Sequence, residues 1–253
     1  MLLISAAATS CKCSGSRPAV PDAGTTEPAM VTVPAGAFPM GCRELCSDAV
    51  SGADIPVHTV ELSAFAIDRT EVTQEAYSRC VAAKACTRPG ANFDPVKKPS
   101  FPITNVTWEQ ARDYCAWTGK RLPTEAEWEK AARGTDQRRY PWGPEQPDCE
   151  RANFEPCGGK LVTVGALPNG ASPYGALDMA GNVEEWVADW YSGAYYRESP
   201  AKDPLGPAVD SGSGHVVRGG SYRYDAWHLG ATVRFWDPGG PTDELGFRCA
   251  RGL

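Results

Sequence analysis

Histidine is scarce in this chain, with three residues in 253, and clustered positive charge is missing: 25 Lys and Arg stand against 31 Asp and Glu, a net charge of -6. A phosphate backbone is gripped by grouped lysines and arginines. The short runs present, such as Arg138-Arg139, read as solvated surface, so nucleic acid is excluded as a partner. Long apolar runs are lacking too, and the apolar N-terminal stretch Met1 to Ser10 is far too short to span a bilayer. The shortage of imidazole also counts against zinc, because the one cysteine pair with zinc-like spacing, Cys42 and Cys46, has little to complete a ligand set.

What the chain has in quantity is 26 glycines, 22 prolines and ten cysteines. So many turn formers exclude a helical bundle and predict short elements joined by irregular loops. Of the eight cysteines in the body of the chain, Cys42/Cys46, Cys80/Cys86 and Cys149/Cys157 lie close together in sequence, leaving Cys115 and Cys249. An even number with local pairs reads as a disulfide framework formed in an oxidising compartment. The N-terminus points the same way. Residues 1–11 resemble a bacterial lipoprotein signal, apolar and small and then Cys11 as the site of lipidation, although no basic segment precedes them. An ordinary cleaved secretory signal is the alternative. Residues 12–30, rich in Ser, Pro, Gly, Ala and Thr, read as a flexible tether. The expected location is extracytoplasmic, as a lipid-anchored membrane protein or a secreted one.

Residues 31–253 show no linker and are read as one domain. Val31-Thr32-Val33, His58 to Leu62 and Phe65 to Ile67 have strand character. Three helices follow, each announced by its cap. Thr73 precedes QEAYSRCVAA, Thr107 with Gln110 forms a capping box for WEQARDYCAWT, and Thr124 with Glu127 forms another for EAEWEKAAR. After Gly134 no further helix is predicted. Short strands are expected at Leu161 to Val164, Gly181 to Trp186, His215 to Tyr222, Ala231 to Trp236 and Leu245 to Ala250. The class is α+β.

Seven segments carry a resemblance. VPAGAFPMG (33–41), DRTEVTQEAY (68–77), GKRLPTEAEWEKAARG (119–134), YPWG (140–143), GNVEEW (181–186), RGGSY (218–222) and LGFRCAR (245–251) occur in the order found in the formylglycine-generating enzyme, or sulfatase-modifying factor, family. Similarity to that family implies an irregular, C-type-lectin-like α+β fold with little regular structure. It implies a disulfide between Cys115 and Cys249. In the catalysing members, oxygen oxidises a substrate cysteine to formylglycine, with copper held by two cysteines after the GGS motif. Thiolates suit Cu(I), and hard oxygen ligands do not. Here Tyr224 and Leu229 stand where those cysteines would be, Glu244 stands where an Asn is usual, and Ser221 is retained. Copper is therefore not expected, nor is a catalytic residue.

The resemblance further implies calcium, with Asp178, Gly181, Val183 and Glu185 as ligands of one site and Asn153 and Phe154 beginning a second. Alternate carbonyls of an extended segment face one side, and calcium takes six to eight oxygens, so the first set is chemically reasonable. Tyr222, Arg223, Trp227 and Arg234 are expected to line a groove in the altered region. The expected function is a non-catalytic binding module for a peptide, protein or polysaccharide at the cell surface. The alternative is a formylglycine-generating oxidase or another metal-dependent oxidoreductase, for which His215, His228, Asp225 and Glu244 offer a two-His-one-carboxylate set. The plainer reading of those four is surface polarity.

Overall fold

The computed structural model describes residues 29–42, 56–237 and 240–253. The signal segment, most of the tether, and Cys11 and Cys46 lie outside the described residues. Nine short strands and three helices form the frame. Strands β1 (Met30–Val33), β4 (Phe65–Asp68) and β9 (Ala250–Gly252) make a three-stranded antiparallel sheet with β4 in the middle. Strands β2 (Gly36–Met40) and β3 (His58–Leu62) pair antiparallel. The third sheet runs in the order β7 (Arg234–Asp237), β6 (His215–Arg218), β5 (Glu184–Trp190), β8 (Leu245–Phe247), and only the β5/β8 pair is parallel. Among the described residues no helix is long and apolar enough to cross a membrane.

The helices start where the caps predict. Helices α1 (Gln74–Ala82), α2 (Trp108–Trp117) and α3 (Glu125–Arg133) follow Thr73, Thr107 and Thr124, each of whose hydroxyls accepts a backbone N–H. The two capping boxes are complete. The strands of the second half are shorter than expected. Leu161 to Val164 is irregular, and the predicted 245–250 strand divides into β8 and β9, which belong to different sheets. Cys249 lies between them and is tied to Cys115 of α2. Gly36 begins strand β2, which the sequence pattern does not announce.

Helix α3 is buried on every side, charged residues included. Trp128 and Ala131 pack in a core with Phe38, Val60, Ile67 and Val187. A second apolar cluster gathers Tyr77, Tyr114, Trp186 and Phe247 around the Cys115–Cys249 disulfide. Four buried arginines pair with carboxylates between these cores. Arg234 binds both oxygens of Glu125, Arg218 reaches Glu125 and Glu129, Arg133 reaches Glu129, and Arg248 binds both oxygens of Glu185. Removing one member of such a buried pair typically costs about 3–5 kcal/mol, because its partner is left charged and dry.

Cys80–Cys86 and Cys149–Cys157 are paired as read from their proximity, and Cys115–Cys249 as the resemblance implied. Cys42 is also disulfide-bonded. The local bridges close loops of 6 and 8 residues, whereas Cys115–Cys249 spans 134. Loop-closure entropy makes the long one the main staple, contributing about 4–5 kcal/mol in the chain-entropy model. The double variant Cys115→Ser/Cys249→Ser should lose several kcal/mol in urea denaturation. The pair Cys149→Ser/Cys157→Ser should lose distinctly less.

Asp189 is a second stability element. Its Oδ2 accepts from the backbone N–H of Glu125 at 2.8 Å, at the start of α3. Gly206, at φ +81°, lies so close that a Cβ there would sit 2.7 Å from Asp189 Oδ1. Burial, and then the Glu125 carboxylate, push the Asp189 carboxyl up to about 8. A raised folded value means that this group's contribution is complete in acid and is lost as pH rises from about 4 through about 8. Asp189→Asn should therefore melt with a flatter pH dependence than the parent between pH 5 and 8. The difference should be about 1 kcal/mol per pH unit.

Candidate functional site

The site is built on the loop between β6 and β7, and Arg218 closes that loop like a clasp. From the end of β6 its guanidinium donates to the carbonyls of Ala231 (2.8 Å) and Thr232 (3.2 Å), while Glu125 and Glu129 hold it from the other side. Gly220 needs to be glycine. It sits at φ +69°, and a Cβ would lie 2.9 Å from the His228 carbonyl across the loop.

Inside the clasp, Ser221 is fully buried and donates to Glu244 Oε2 at 2.7 Å. Arg223 pairs with Asp243 at 2.7 Å and with Glu244 Oε1 at 2.9 Å. Tyr224 lies beside the Glu184 carboxyl and stacks on the His228 ring at 4.6 Å. His228 Nδ1 lies 2.8 Å from Asp225 Oδ1, and its ring stacks on Phe235 at 5.3 Å. Leu229 is fully buried in a small apolar cluster with Tyr140, Ala152, Phe154 and Ala180.

Beside this loop is a cavity of about 270 Å³, lined by Glu184, Tyr224, His228, Phe235, Trp236, Asp237 and Glu244 among others. Burial, then the neighbouring Glu244 and Asp237, raise the Glu184 carboxyl to about 8. The Tyr224 phenol is pushed up by burial and by Glu184 and Glu244. A second cavity, of about 480 Å³, has Lys98, Lys160, Tyr222, Arg223 and Asp243 in its lining. The two share a wall: Tyr224 and Glu244 line the first, while Arg223 and Asp243 beside them line the second.

Of the expected groove, Tyr222 and Arg223 line that second cavity. Arg234 does not belong to a groove. It is buried, bound to Glu125, and stacked over Tyr191 and Tyr196 at 4.9 and 4.4 Å, because the carboxylate at the N-terminus of α3 captures it. Trp227 packs edge-on against His228 and Phe235 and lines neither cavity. The two-His set does not assemble. His215 is sandwiched between Trp108 and Trp190 at 3.9 and 3.6 Å, whereas His228 faces the cavity. Among the described residues no group of three or more His, Cys, Asp or Glu is arranged to hold a metal ion. All seven described cysteines are in disulfides.

The expected calcium residues fall in one buried region, with a changed membership. Glu185 differs from expectation: Arg248 takes both its oxygens at 2.6 and 2.7 Å, and Trp128 Nε1 donates to it as well. Asp178 faces Glu71 instead. Glu71 is fully buried, its Oε1 accepts from Asn182, and its Oε2 has no partner. Burial, then Asp178, push the Glu71 carboxyl well up. Asn153 donates its amide to Asn182 Oδ1 and the Lys160 carbonyl, and the Phe154 carbonyl accepts from Cys157 inside the disulfide loop. Gly181 packs against Asn153, whose carbonyl would meet a Cβ at 2.3 Å, and Val183 is fully buried. An orphaned carboxyl oxygen beside a second carboxyl is an arrangement that a hard cation satisfies. By that measure Glu71 and Asp178 fit calcium, while Glu185 does not.

A family model described as the sulfatase-modifying factor enzyme 1-like domain matches residues 16–253. The chain belongs to the sulfatase-modifying factor family. It is similar to a formylglycine-generating enzyme of Streptomyces coelicolor, 33% identical over 279 residues that cover 87% of this chain and 88% of that one. It is 31% identical to a hercynine oxygenase of Mycolicibacterium smegmatis over 87% of this chain and 59% of the oxygenase. Among solved structures, PvdO from Pseudomonas aeruginosa superposes with a TM-score of 0.74 at 28% identity, covering 89% of this chain and 95% of its own. The sulfatase-modifying factor fold thus accounts for the irregular α+β architecture. Relatives named as oxidative enzymes make oxidoreductase chemistry a property to be tested for this chain.

Glu71, Glu184 and Asn182 were not singled out as site residues from the sequence. Glu184 had a signal. Adjacent residues of a strand face opposite sides, so one carboxylate of the Glu184-Glu185 pair had to face away from the other's partner.

Proposed function

We propose that this chain is a non-catalytic binding module built on the sulfatase-modifying factor fold, acting outside the cytoplasm and taking a peptide, protein or polysaccharide at the cavity beside Tyr224. The observation that carries this reading is the state of sulfur. By the family resemblance Tyr224 and Leu229 stand where the catalysing members carry their copper-binding cysteines; Leu229 is sealed in apolar packing, and every described cysteine is committed to a disulfide. Chemistry that needs a thiolate pair has no ligand there. Lipid anchoring through Cys11 is part of the same proposal and rests on the sequence of residues 1–11. The second reading is an oxidoreductase. It draws on relatives named formylglycine-generating enzyme and hercynine oxygenase, and on a buried acid raised to about 8 beside His228 in the cavity. Incubation of the purified protein with Cu(I), oxygen and a cysteine-containing sulfatase peptide separates the two. No aldehyde is expected by mass spectrometry, and turnover would overthrow the binding reading.

Calcium is proposed as a structural ion held by Glu71 and Asp178, where it would satisfy the orphaned Oε2 of Glu71. The ion would supply positive charge that the surrounding backbone cannot. Calcium at 100 times its dissociation constant should stabilise the protein by about 2.7 kcal/mol. That shift should appear in thermal melts, disappear with chelator, and be absent from Glu71→Gln.

A further inference from the structure

The cavity beside Tyr224 has an uneven chemistry. Carboxyl groups of Glu184, Asp237 and Glu244 contribute to its lining, together with the rings of Tyr224, His228, Phe235 and Trp236. Among the described residues no lysine or arginine lines it. Glu184 is less than one-tenth exposed, and the groups acting on its carboxyl are Glu244, Asp237 and the Tyr224 hydroxyl, none of them a cation. Arg223 reaches Glu244 from the neighbouring cavity and does not line this one. A buried carboxyl with no positive partner is an unfilled demand for positive charge, because burial in low dielectric penalises its ionised form. Aromatic faces complete such a site, since a cation held over an indole or phenol ring is attracted by its quadrupole.

The geometry points to this cavity as the receptor for the ammonium or guanidinium of a lysine or arginine side chain in an extended peptide. This assignment rests on the binding-module reading and names the ligand class for it. A peptide fits better than a free polyamine because of the adjoining cavity. Lys98, Lys160 and Arg223 give that second space basic groups, and within the segments 222–224 and 242–244 some residues line one space and their chain neighbours line the other. A ligand that crosses the shared wall meets acid on one side and base on the other, so complementarity calls for a chain carrying charges of both signs. Trp236, 41% exposed, leaves the mouth of the acidic cavity open to such a chain.

The test is calorimetric titration of the intact protein with the capped pentapeptide Gly-Lys-Gly-Glu-Gly, with the same peptide carrying norleucine for lysine, and with spermidine. The lysine peptide is expected to bind at least tenfold more tightly than the norleucine peptide and more tightly than spermidine. Glu184→Gln, which preserves shape, should remove that preference, and Trp236→Ala, at a partly exposed position, should weaken it several-fold. Melting curves will show that both variants are folded. Equal binding of the lysine and norleucine peptides, or an unchanged preference in folded Glu184→Gln, overturns the assignment and leaves the binding-module reading intact. Tighter binding of spermidine overturns the peptide source. No heat from the lysine peptide at millimolar concentration overturns the assignment as well. Only peptide oxidation in the copper assay bears on the binding-module reading itself.

Discussion

Everything in this molecule leans on the carboxylates of helix α3 and the arginines they hold. Glu125 and Glu129 are buried on the helix whose Ala126, Trp128, Ala131 and Ala132 enter an apolar cluster, where a lone charge would be intolerable. Arg218 and Arg234 arrive from the ends of adjoining strands, β6 and β7, and bring the β6–β7 loop with them. Arg218 is the shared element. The same guanidinium that neutralises α3 holds two carbonyls at the far end of the loop. The fold and the site are therefore not separable pieces: the interaction that orders the core also fixes the aperture of the loop. Arg248 repeats the principle in the second half of the core. Its Nε and Nη2 donate to Glu185, Nη2 also donates to the Leu177 carbonyl, and Nη1 donates to the carbonyls of Asp68 and Arg69. With strands of three to seven residues, the sheets have little continuity of their own, and these arginines supply it.

That dependence explains how far the sequence could be read. Caps are local, and so Thr73, Thr107 and Thr124 announced their helices correctly. The paired cysteines at short spacing were legible for the same reason. Long-range partnerships were not. Nothing near Arg234 in sequence says that a helix 109 residues away will take it, and so it was assigned to a surface groove. Helix α3 showed apolar residues suited to one buried side, yet its charged side is buried as well, because those charges find arginines from elsewhere. The resemblance to the sulfatase-modifying factor family supplied what local pattern could not, including the tie between Cys115 and Cys249.

The site was legible only in part. Tyr224, Leu229, Ser221 and Glu244 could be placed by motif, and the structure brings Tyr224 and Glu244 to one cavity while Leu229 turns into the core. The acid that gives the cavity its character, Glu184, was passed over because attention fell on its neighbour Glu185. A strand sends consecutive side chains to opposite faces, so the two glutamates serve different masters: one an arginine, the other an open space. Glu71 was overlooked for another reason. It stands just ahead of a helix, where an acid is ordinarily explained by the helix dipole, and its meeting with Asp178 is a tertiary event.

The clasp formed by Arg218 has an evolutionary corollary. It grips main-chain oxygens at positions 231 and 232, so it does not read the identity of most residues enclosed between them. A stretch held in this way can trade thiols for a phenol and an aliphatic chain without the frame having to be reinvented. The frame is thereby indifferent to most of the side chains it encloses, and substitutions within the loop leave the grip on its main chain unchanged.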